Sequence, residues 1–331
     1  MKNEIDIENE NKDIVRRYKA LLRSCNNEIT RENKKLIRKA FNLAVDAHKN
    51  VRRKSGEPYI FHPIAVAQIV AKDIGLDATS IACALLHDVV EDSHYTLIDI
   101  ENTFNPKIRK IIDGLTKISG FSEQDISSQA ENFRKMLLTI SDDVRVILIK
   151  LADRLHNMQT LASMPINKQQ KIGSETLYIY APLAHRLGLY SIKTELEDLG
   201  LKYTESDIYQ DIARQLNDTK KARVQYIQRF TKPLKKSLKE HRLNFSIKGR
   251  PKSIFSIRKK MKNQGITFDE VYDKFAIRII LTSELKNEKS DCWETYSVIT
   301  DHYRPNPDRL RDWISTPKAN GYESLHTTVM G

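Results

Sequence analysis

Six ionisable side chains in the first half of the chain have the types and spacing to hold a divalent metal and activate water: His62, His87, Asp88, Glu91, Asp92 and Asp153. The densest group lies in TSIACALLHDVVED, residues 79–92, where Ala82, Leu85, Leu86 and Val89 recur at helical spacing. That pattern predicts one amphipathic or nearly buried helix. On it, His87 and Asp88 stand side by side, with Glu91 and Asp92 a turn later. Four ionisable groups so close together on a core helix are costly unless something compensates them. A divalent ion does so directly, because it takes neutral imidazole and carboxylate as ligands. A polar helix end reaching solvent explains this stretch alone equally well. Likewise His62 alone reads as a capping histidine, and Asp153 alone as the helix partner of Lys150. Jointly, the imidazoles of His62 and His87 and the carboxylates of Asp88 and Asp153 suit Mn, Fe, Zn or Mg. Mn fits a mixed nitrogen and oxygen set with open water positions best. Such an ion lowers the pKa of bound water, and Glu91 and Asp92 are placed to orient or deprotonate that water.

The elements that must position these residues read as helices. From Thr30, a plausible cap, Leu36, Ile37, Ala40, Phe41, Ala44, Val45 and His48 follow a 3.6-residue period. VRRKSGEPYIFHP breaks it, with Ser55-Gly56 and Glu57-Pro58 forcing a turn that holds Arg52, Arg53 and Lys54. Pro63 starts the next helix (64–73), so His62 falls just before it. After residue 79's helix come a loop at 93–95, helix around 104–115, a polar stretch at 117–130 and helix at 131–140. Ser141 then caps the helix of VRVILIKLADRLHNMQTL. Asp153 and Asn157, four apart, project from one side of it, with Thr160 a turn beyond. Further helix follows, broken near Pro182 and Gly188. Residues 205–240 are charged with sparse apolar positions. From Leu243 the character changes: NFSIKGRPKSIFSIRKKMK reads as strand, Gly turn and basic helix, and DKFAIRIILT as a β-branched strand. Helix at 292–302 and a turn-then-strand segment at 314–331 follow, so the second domain is α+β or α/β.

Bulk properties narrow the function class. The chain has 331 residues, 38.3 kDa, with a mean hydropathy of −0.51 and no long apolar run, which excludes a membrane span. The polar N-terminus lacks the apolar core of a secretion signal. Three cysteines, Cys25, Cys83 and Cys292, share no metal-like spacing and fit a reducing cytoplasm. A net charge of +12 favours a polyanionic ligand, whether nucleotide, nucleic acid or ribosome-like surface.

RKSGEPYIFHP, HDVVED and KLADRLHNMQTL together resemble the hydrolase half of the Rel/Spo (RelA/SpoT) homologues, the stringent-response enzymes, among the HD-domain phosphohydrolases. The resemblance implies Mn²⁺ ligands at His62, His87, Asp88 and Asp153 and water activation at Glu91 and Asp92. It implies binding of guanosine tetra- and pentaphosphate, (p)ppGpp, by Arg53, Lys54, Ser55, Asn157 and Thr160. The reaction implied is removal of the 3′-pyrophosphate, giving GDP or GTP and pyrophosphate. Arg53 and Lys54 suit this, since cationic donors in a turn can grip phosphate oxygens, Arg bidentately. GRPKSIFSIRKKM is similar to the same family's synthetase segment, which implies ATP phosphates at Arg250, Lys252 and Lys260 and Mg²⁺ at Asp273. PKANGYESLHTTV resembles its acceptor site, with Tyr322 stacking on guanine of GDP or GTP and Lys318, Asn320 and His326 beside it; a turn aromatic packing on the sheet is the plainer reading of Tyr322.

The expected architecture is therefore an all-α HD-type hydrolase domain (1–200), a helical connector (201–240) and an α+β nucleotidyltransferase-like pyrophosphokinase domain (241–331), cut short at its C-terminal end. Ser253 stands where the family usually has His, and Arg311 and Trp313 where Lys and Tyr are common. The segment that carries the family's catalytic Glu would follow Gly331, so a chain of these residues is expected to hydrolyse the alarmone and to synthesise it poorly. The charged connector is the candidate for coupling the two sites. Another HD phosphohydrolase, such as a dNTPase or cyclic-dinucleotide phosphodiesterase, would share the metal set but not RKSGEPYIFHP or the second domain. A non-catalytic RNA- or ribosome-binding scaffold would instead use the basic stretch 232–242, and ribosome or RNA contact through a longer protein is the further partner expected.

Overall fold

The structure is a computed structural model that describes residues 2–25, 30–119, 143–271, 273–318 and 321–330. It forms two compact units, Met1–Thr204 and Glu205–Gly331. The helix expected at 131–140, the cap at Ser141, most of the polar stretch 117–130 and Asn320 lie outside the described residues. No described helix is long and apolar enough to cross a membrane.

The described part of the first unit is helical, apart from an isolated bridge between Arg52 and Pro58. Its centre is the helix Ala78–Leu86, in which every residue except Thr79 is buried. Asp77 caps it, its carboxylate accepting from the Ser80 amide at 2.9 Å. Around it pack Arg31–Ala47, Phe61–Ile69, Pro106–Ser119 and Val144–Gln159. Small residues make this possible: Ala40, Ala44, Ala67, Ala82 and Ala84 are all fully buried, which lets helix axes approach closely.

Several local expectations change. The helix read through residues 79–92 stops at Leu86 and restarts as the short turn Val89–Asp92. Asp88 is the break, at φ −102° and ψ −2°, the sparsely populated bridge region that recurs where side chains must be aimed. His62 lies inside the first turn of its helix. Asp143 caps the helix Val144–Gln159, accepting from the Arg145 amide. Pro182 does not break its helix: it follows a single π-helical turn at Thr176–Tyr180 and opens the helix Ala181–Arg186. The break comes at Gly188 (φ 75°).

In the second unit, strand β1 (Phe245–Pro251) pairs antiparallel with β2 (Phe275–Leu281), Gly249 opposite Ile277. Gly249 is mid-strand rather than in a turn. A Cβ there would come within 2.8 Å of Ile227 Cδ1, so a helix side chain presses on this point of the strand. Two further short antiparallel pairs join β3 (Arg304–Pro305) to β6 (Val329–Met330) and β4 (Arg311–Asp312) to β5 (Leu325–His326). Helix Ile254–Gln264 packs through Ile257 on Ile212, Phe268 and Val271, with Ile208 and Leu216 alongside. The segment read as a connector thus forms two helices, Ser206–Asp218 and Lys220–Glu240, that group with this unit, Ile212 being part of its core. The unit is α+β. Ser253, the departure from the resembled motif, caps Ile254–Gln264 by accepting from the Ser256 amide.

His48 ends the helix Arg31–Ala47 and is buried at 2% exposure, with neither ring nitrogen partnered among the described residues. Burial pushes its imidazole down to about 4, against the pull of Asp88. Between pH 6.5 and 4 the unfolded chain therefore takes up a proton that the folded state refuses, and stability falls on acidification by about 1.4 kcal/mol for each pH unit. His48→Phe removes that term: urea midpoints measured from pH 7 to 4 should decline less steeply in the variant. Parallel declines would contradict it.

Candidate functional site

The break after Leu86 turns His87 and Asp88 toward two other helices. Nε2 of His87 lies 3.0 Å from Asp88 Oδ2, 3.2 Å from Nε2 of His62 and 3.8 Å from Asp153 Oδ1. Nε2 of His62 lies 3.3 Å from Asp153 Oδ1 and 3.6 Å from Asp88 Oδ2. His62, His87 and Asp153 are buried, and one ligand-type atom from each falls within 4.8 Å of the others. Four residues from three places in the chain thus converge on one point.

Each is aimed by something else. His87 Nδ1 sits 2.8 Å from the Ala84 carbonyl oxygen, which only a ring proton can satisfy, so Nε2 faces the cluster and is the nitrogen a metal would take. Asp153 divides its oxygens: Oδ2 pairs with Lys150 Nζ at 2.9 Å, while Oδ1 accepts from Asn157 Nδ2 at 2.6 Å and looks toward the histidines. Tyr59 donates its hydroxyl to Asp88 Oδ2 at 2.6 Å. Burial opposes charge on every member. Even so, the Lys150 ammonium and the histidines hold the Asp153 carboxyl well below the usual range, and His87 does the same for Asp88. Burial alone would push His87 down, but the Asp88 carboxylate lifts it to about 9, whereas at His62 burial prevails and the shift is downward. The residues fit a divalent cation: two imidazoles with Nε2 turned inward and two carboxylates, mostly withdrawn from water, the donor set such an ion takes.

Beside the cluster is a cationic arm. The turn at 53–57 is closed by Arg53 N to the Glu57 carbonyl (3.0 Å) and Gly56 N to the Arg53 carbonyl (2.8 Å), with Gly56 at φ 90°. Arg52 ties this turn to the first helix through a bidentate pair with Glu10, both contacts at 2.9 Å. Arg53 reaches inward, its Nη2 donating to Asn157 Oδ1 and Thr160 Oγ1, each at 3.1 Å. Lys54 and Ser55 are exposed on the turn. Glu91 and Asp92 are exposed on the short helix after the break. Partial withdrawal from water, then the charge of Asp88, raises the Asp92 carboxyl. Sequence reasoning missed Tyr59 and His156. Both lie within the motifs quoted, and His156 Nδ1 is 2.8 Å from His62 Nδ1. Burial, then the neighbouring His62 and Arg53, push the His156 imidazole down to about 3.

In the second unit Asp273 sits between two ammonium groups, Lys252 Nζ at 2.6 Å and Lys260 Nζ at 2.5 Å. Although partial burial would raise its carboxyl, the hydrogen bonds from these lysines hold it at about 2. Arg250 is exposed on β1. A second group forms where β4 meets β5: the Tyr322 hydroxyl and His326 Nε2 share a hydrogen bond of 2.8 Å, and Lys318 Nζ stands 4.7 Å from the Trp313 ring centre and 5.3 Å from that of Tyr322. Arg311 pairs with His326 across the ladder.

With this geometry in hand, the chain can be set beside known proteins. Residues 40–190 match the family described as HD domain, and residues 249–331 match the region found in RelA / SpoT proteins. Over 294 residues the chain is 44% identical to a probable guanosine-3′,5′-bis(diphosphate) 3′-pyrophosphohydrolase of Synechocystis, covering 88% of this chain and 38% of that protein. It is 43% identical to a GTP pyrophosphokinase of Myxococcus xanthus, with 88% and 38% covered. It is 41% identical to the bifunctional (p)ppGpp synthase/hydrolase SpoT of Escherichia coli K12, with 88% and 41% covered. The chain thus spans about two fifths of the length of the curated relatives it matches.

Removing Lys150 should expose how much the buried acids depend on compensation. Lys150→Met leaves Asp153 without its ammonium in a dry site, and the metal-free protein should lose about 3–5 kcal/mol of stability. Excess Mn²⁺ should return part of that loss. Chemical denaturation with and without the ion measures both, and an unaffected metal-free midpoint would refute the dependence.

Proposed function

The chain belongs to the Rel/Spo (RelA/SpoT) family, and on that premise we propose that its helical unit hydrolyses (p)ppGpp, removing the 3′-pyrophosphate to give GDP or GTP and pyrophosphate. One observation carries this reading: a buried histidine and carboxylate cluster lies directly beside an inward-turned arginine that bridges Asn157 and Thr160. A metal centre alone would serve many hydrolases. A metal centre flanked by a fixed guanidinium suits a phosphate-rich substrate.

His62, His87, Asp88 and Asp153 would hold Mn²⁺, which supplies Lewis acidity toward water and phosphate oxygens when bound. The protein's own groups do the rest. Arg53, oriented by Asn157 and Thr160, offers its remaining N–H groups to phosphate oxygens, and Lys54 and Ser55 on the turn add a second cation and a hydroxyl donor. Glu91 and Asp92 stand at the solvent side, where a carboxylate can take the proton of the attacking water and release it to bulk. The raised carboxyl of Asp92 brings it nearer to neutral pH as a proton carrier.

The second unit is proposed as the synthetase side, transferring pyrophosphate from ATP to GDP or GTP. Arg250, Lys252 and Lys260 would meet the ATP phosphates, Asp273 would hold Mg²⁺, and Tyr322 would stack on the acceptor guanine with Lys318, Asn320 and His326 around it. Base stacking on one tyrosine is worth about 1–3 kcal/mol. Contact with RNA or a ribosome is a separate proposal. Its surface would be the exposed face of the helix Lys220–Glu240, where Lys232, Lys235, Lys236 and Lys239 stand opposite the buried Thr231, Leu234 and Leu238. The proposed place of work is the cytoplasm, where these nucleotides occur.

Metal-stripped protein given (p)ppGpp should release pyrophosphate only when Mn²⁺ is added, and Glu91→Gln should slow turnover by about 10²–10⁴-fold while leaving Mn²⁺ affinity unchanged. Release of monophosphate, or indifference to Mn²⁺, would sink the hydrolase reading. For the synthetase side, Asp273→Asn should abolish pyrophosphate transfer from ATP to GDP or GTP. Robust transfer surviving that substitution would remove Asp273 from its assigned role.

A further inference from the structure

His156 lies one turn after Asp153 on the helix Val144–Gln159, with its ring set between His62 and Arg53. Its Nδ1 is 2.8 Å from Nδ1 of His62 and 3.4 Å from Nη1 of Arg53. A guanidinium carries donors only, so a nitrogen facing it must present a lone pair. His156 Nδ1 is therefore the acceptor for both neighbours, and the proton in the 2.8 Å contact belongs to His62. A neutral imidazole with its proton on Nδ1 has its free lone pair on Nε2. That nitrogen is the one 3.3 Å from Asp153 Oδ1 and 3.2 Å from His87 Nε2. Asp153 pulls the other way, since its carboxylate would accept a proton from His62 Nε2, and the ring in that tautomer could not bind a metal through Nε2.

We propose that His156 is a positioning residue: held as an acceptor by Arg53, it keeps the His62 proton on Nδ1 and so leaves Nε2 available to a divalent cation. The two histidines of the cluster are thus set by different means. A backbone carbonyl, Ala84 O, orients His87. A side chain orients His62, and that side chain is itself polarised by the residue read as the phosphate grip. Arg53 is therefore tied to the cation without touching it, and changing it should weaken metal binding even when no nucleotide is present. The inference rests on reading His62 as a metal ligand but not on which substrate the site takes.

Mn²⁺ affinity of the whole 331-residue chain without nucleotide, measured by titration calorimetry and by the electron paramagnetic resonance signal of free Mn²⁺, tests it. H156L keeps the bulk but has no acceptor, and should bind Mn²⁺ about 10–100-fold more weakly. H156Q, whose side-chain carbonyl can accept from both neighbours, should recover most of the affinity. R53M should lose affinity several-fold. Unchanged affinity in H156L, or equal losses in H156L and H156Q, overturns the proposal. Should H156L not fold, R53M decides, and wild-type affinity there overturns it. Protein that shows this pattern yet leaves (p)ppGpp intact would refute the hydrolase reading and support the role of His156.

Discussion

Two carboxylates drawn into a helical core beside two imidazoles set the terms for the first unit. An unpaired buried charge is costly enough that the protein must neutralise it, hydrogen-bond it or let it take a proton. Asp153 meets the first two conditions through Lys150 and Asn157, and Asp88 meets the second through Tyr59. One lysine against two acids leaves an excess of negative charge at the centre. The structure answers that excess with a proton: Asp88 lifts His87 to about 9. A divalent ion would take the place of that proton, since it needs the same nitrogen as a neutral ligand. The cluster is thus arranged for a cation, and protonated His87 is what the geometry offers in its stead.

The fold pays attention to direction more than to proximity. Helix Ala78–Leu86 is buried almost all round, so any side chain at its end would ordinarily be swept along the helix by the regular 100° step. The break at Asp88 interrupts that step at the two residues whose side chains must point the same way. Alanines on the surrounding helices keep the axes close enough for His62, from one helix, and Asp153, from another, to reach the same point. The 53–57 turn lies beside this cluster, and Glu10 anchors it through Arg52, so that Arg53 need not be ordered when a substrate arrives. Rigid placement of a guanidinium reduces the entropy lost on gripping a phosphate.

How much of this was legible in the sequence depended on whether chemistry or direction was at stake. His62, His87, Asp88 and Asp153 could be picked out because their residue types are out of place on helices otherwise built for a core. Helical spacing put Asn157 and Thr160 on the side of Asp153, but only the resemblance gave them a place in the site. The break at His87 and Asp88 was not legible, because every residue from 79 to 92 tolerates helix and only packing against neighbouring helices rewards the interruption. Tyr59 was hidden for a related reason. A tyrosine among apolar residues reads as core, and its partner Asp88 lies 29 residues away. His156 sits in a helix among polar neighbours, and nothing local says that its ring turns toward His62. In the second unit, β-branched runs revealed the strands, but Gly249 looked like a turn because the press of Ile227 on the strand is a tertiary fact.

The second unit solves its charge problem by a different exchange. Asp273 stands between Lys252 and Lys260, so acid and bases satisfy one another before any nucleotide is present. In the role proposed for them, ATP with Mg²⁺ would offer each group a new partner of the same sign as the old one: phosphate oxygens for the lysines, a cation for the carboxylate. No charge would pass through an unpaired state, and the pairs, about two fifths exposed at Asp273, are weak enough in water to be traded. The buried cluster of the first unit cannot trade in that way, because its acids have little water to fall back on. In the roles proposed, the two units would thus meet one requirement, anionic ligands handled through metal and cation, by opposite means: a dry, prearranged centre in the helical unit, and a wet, interchangeable one beside the strands.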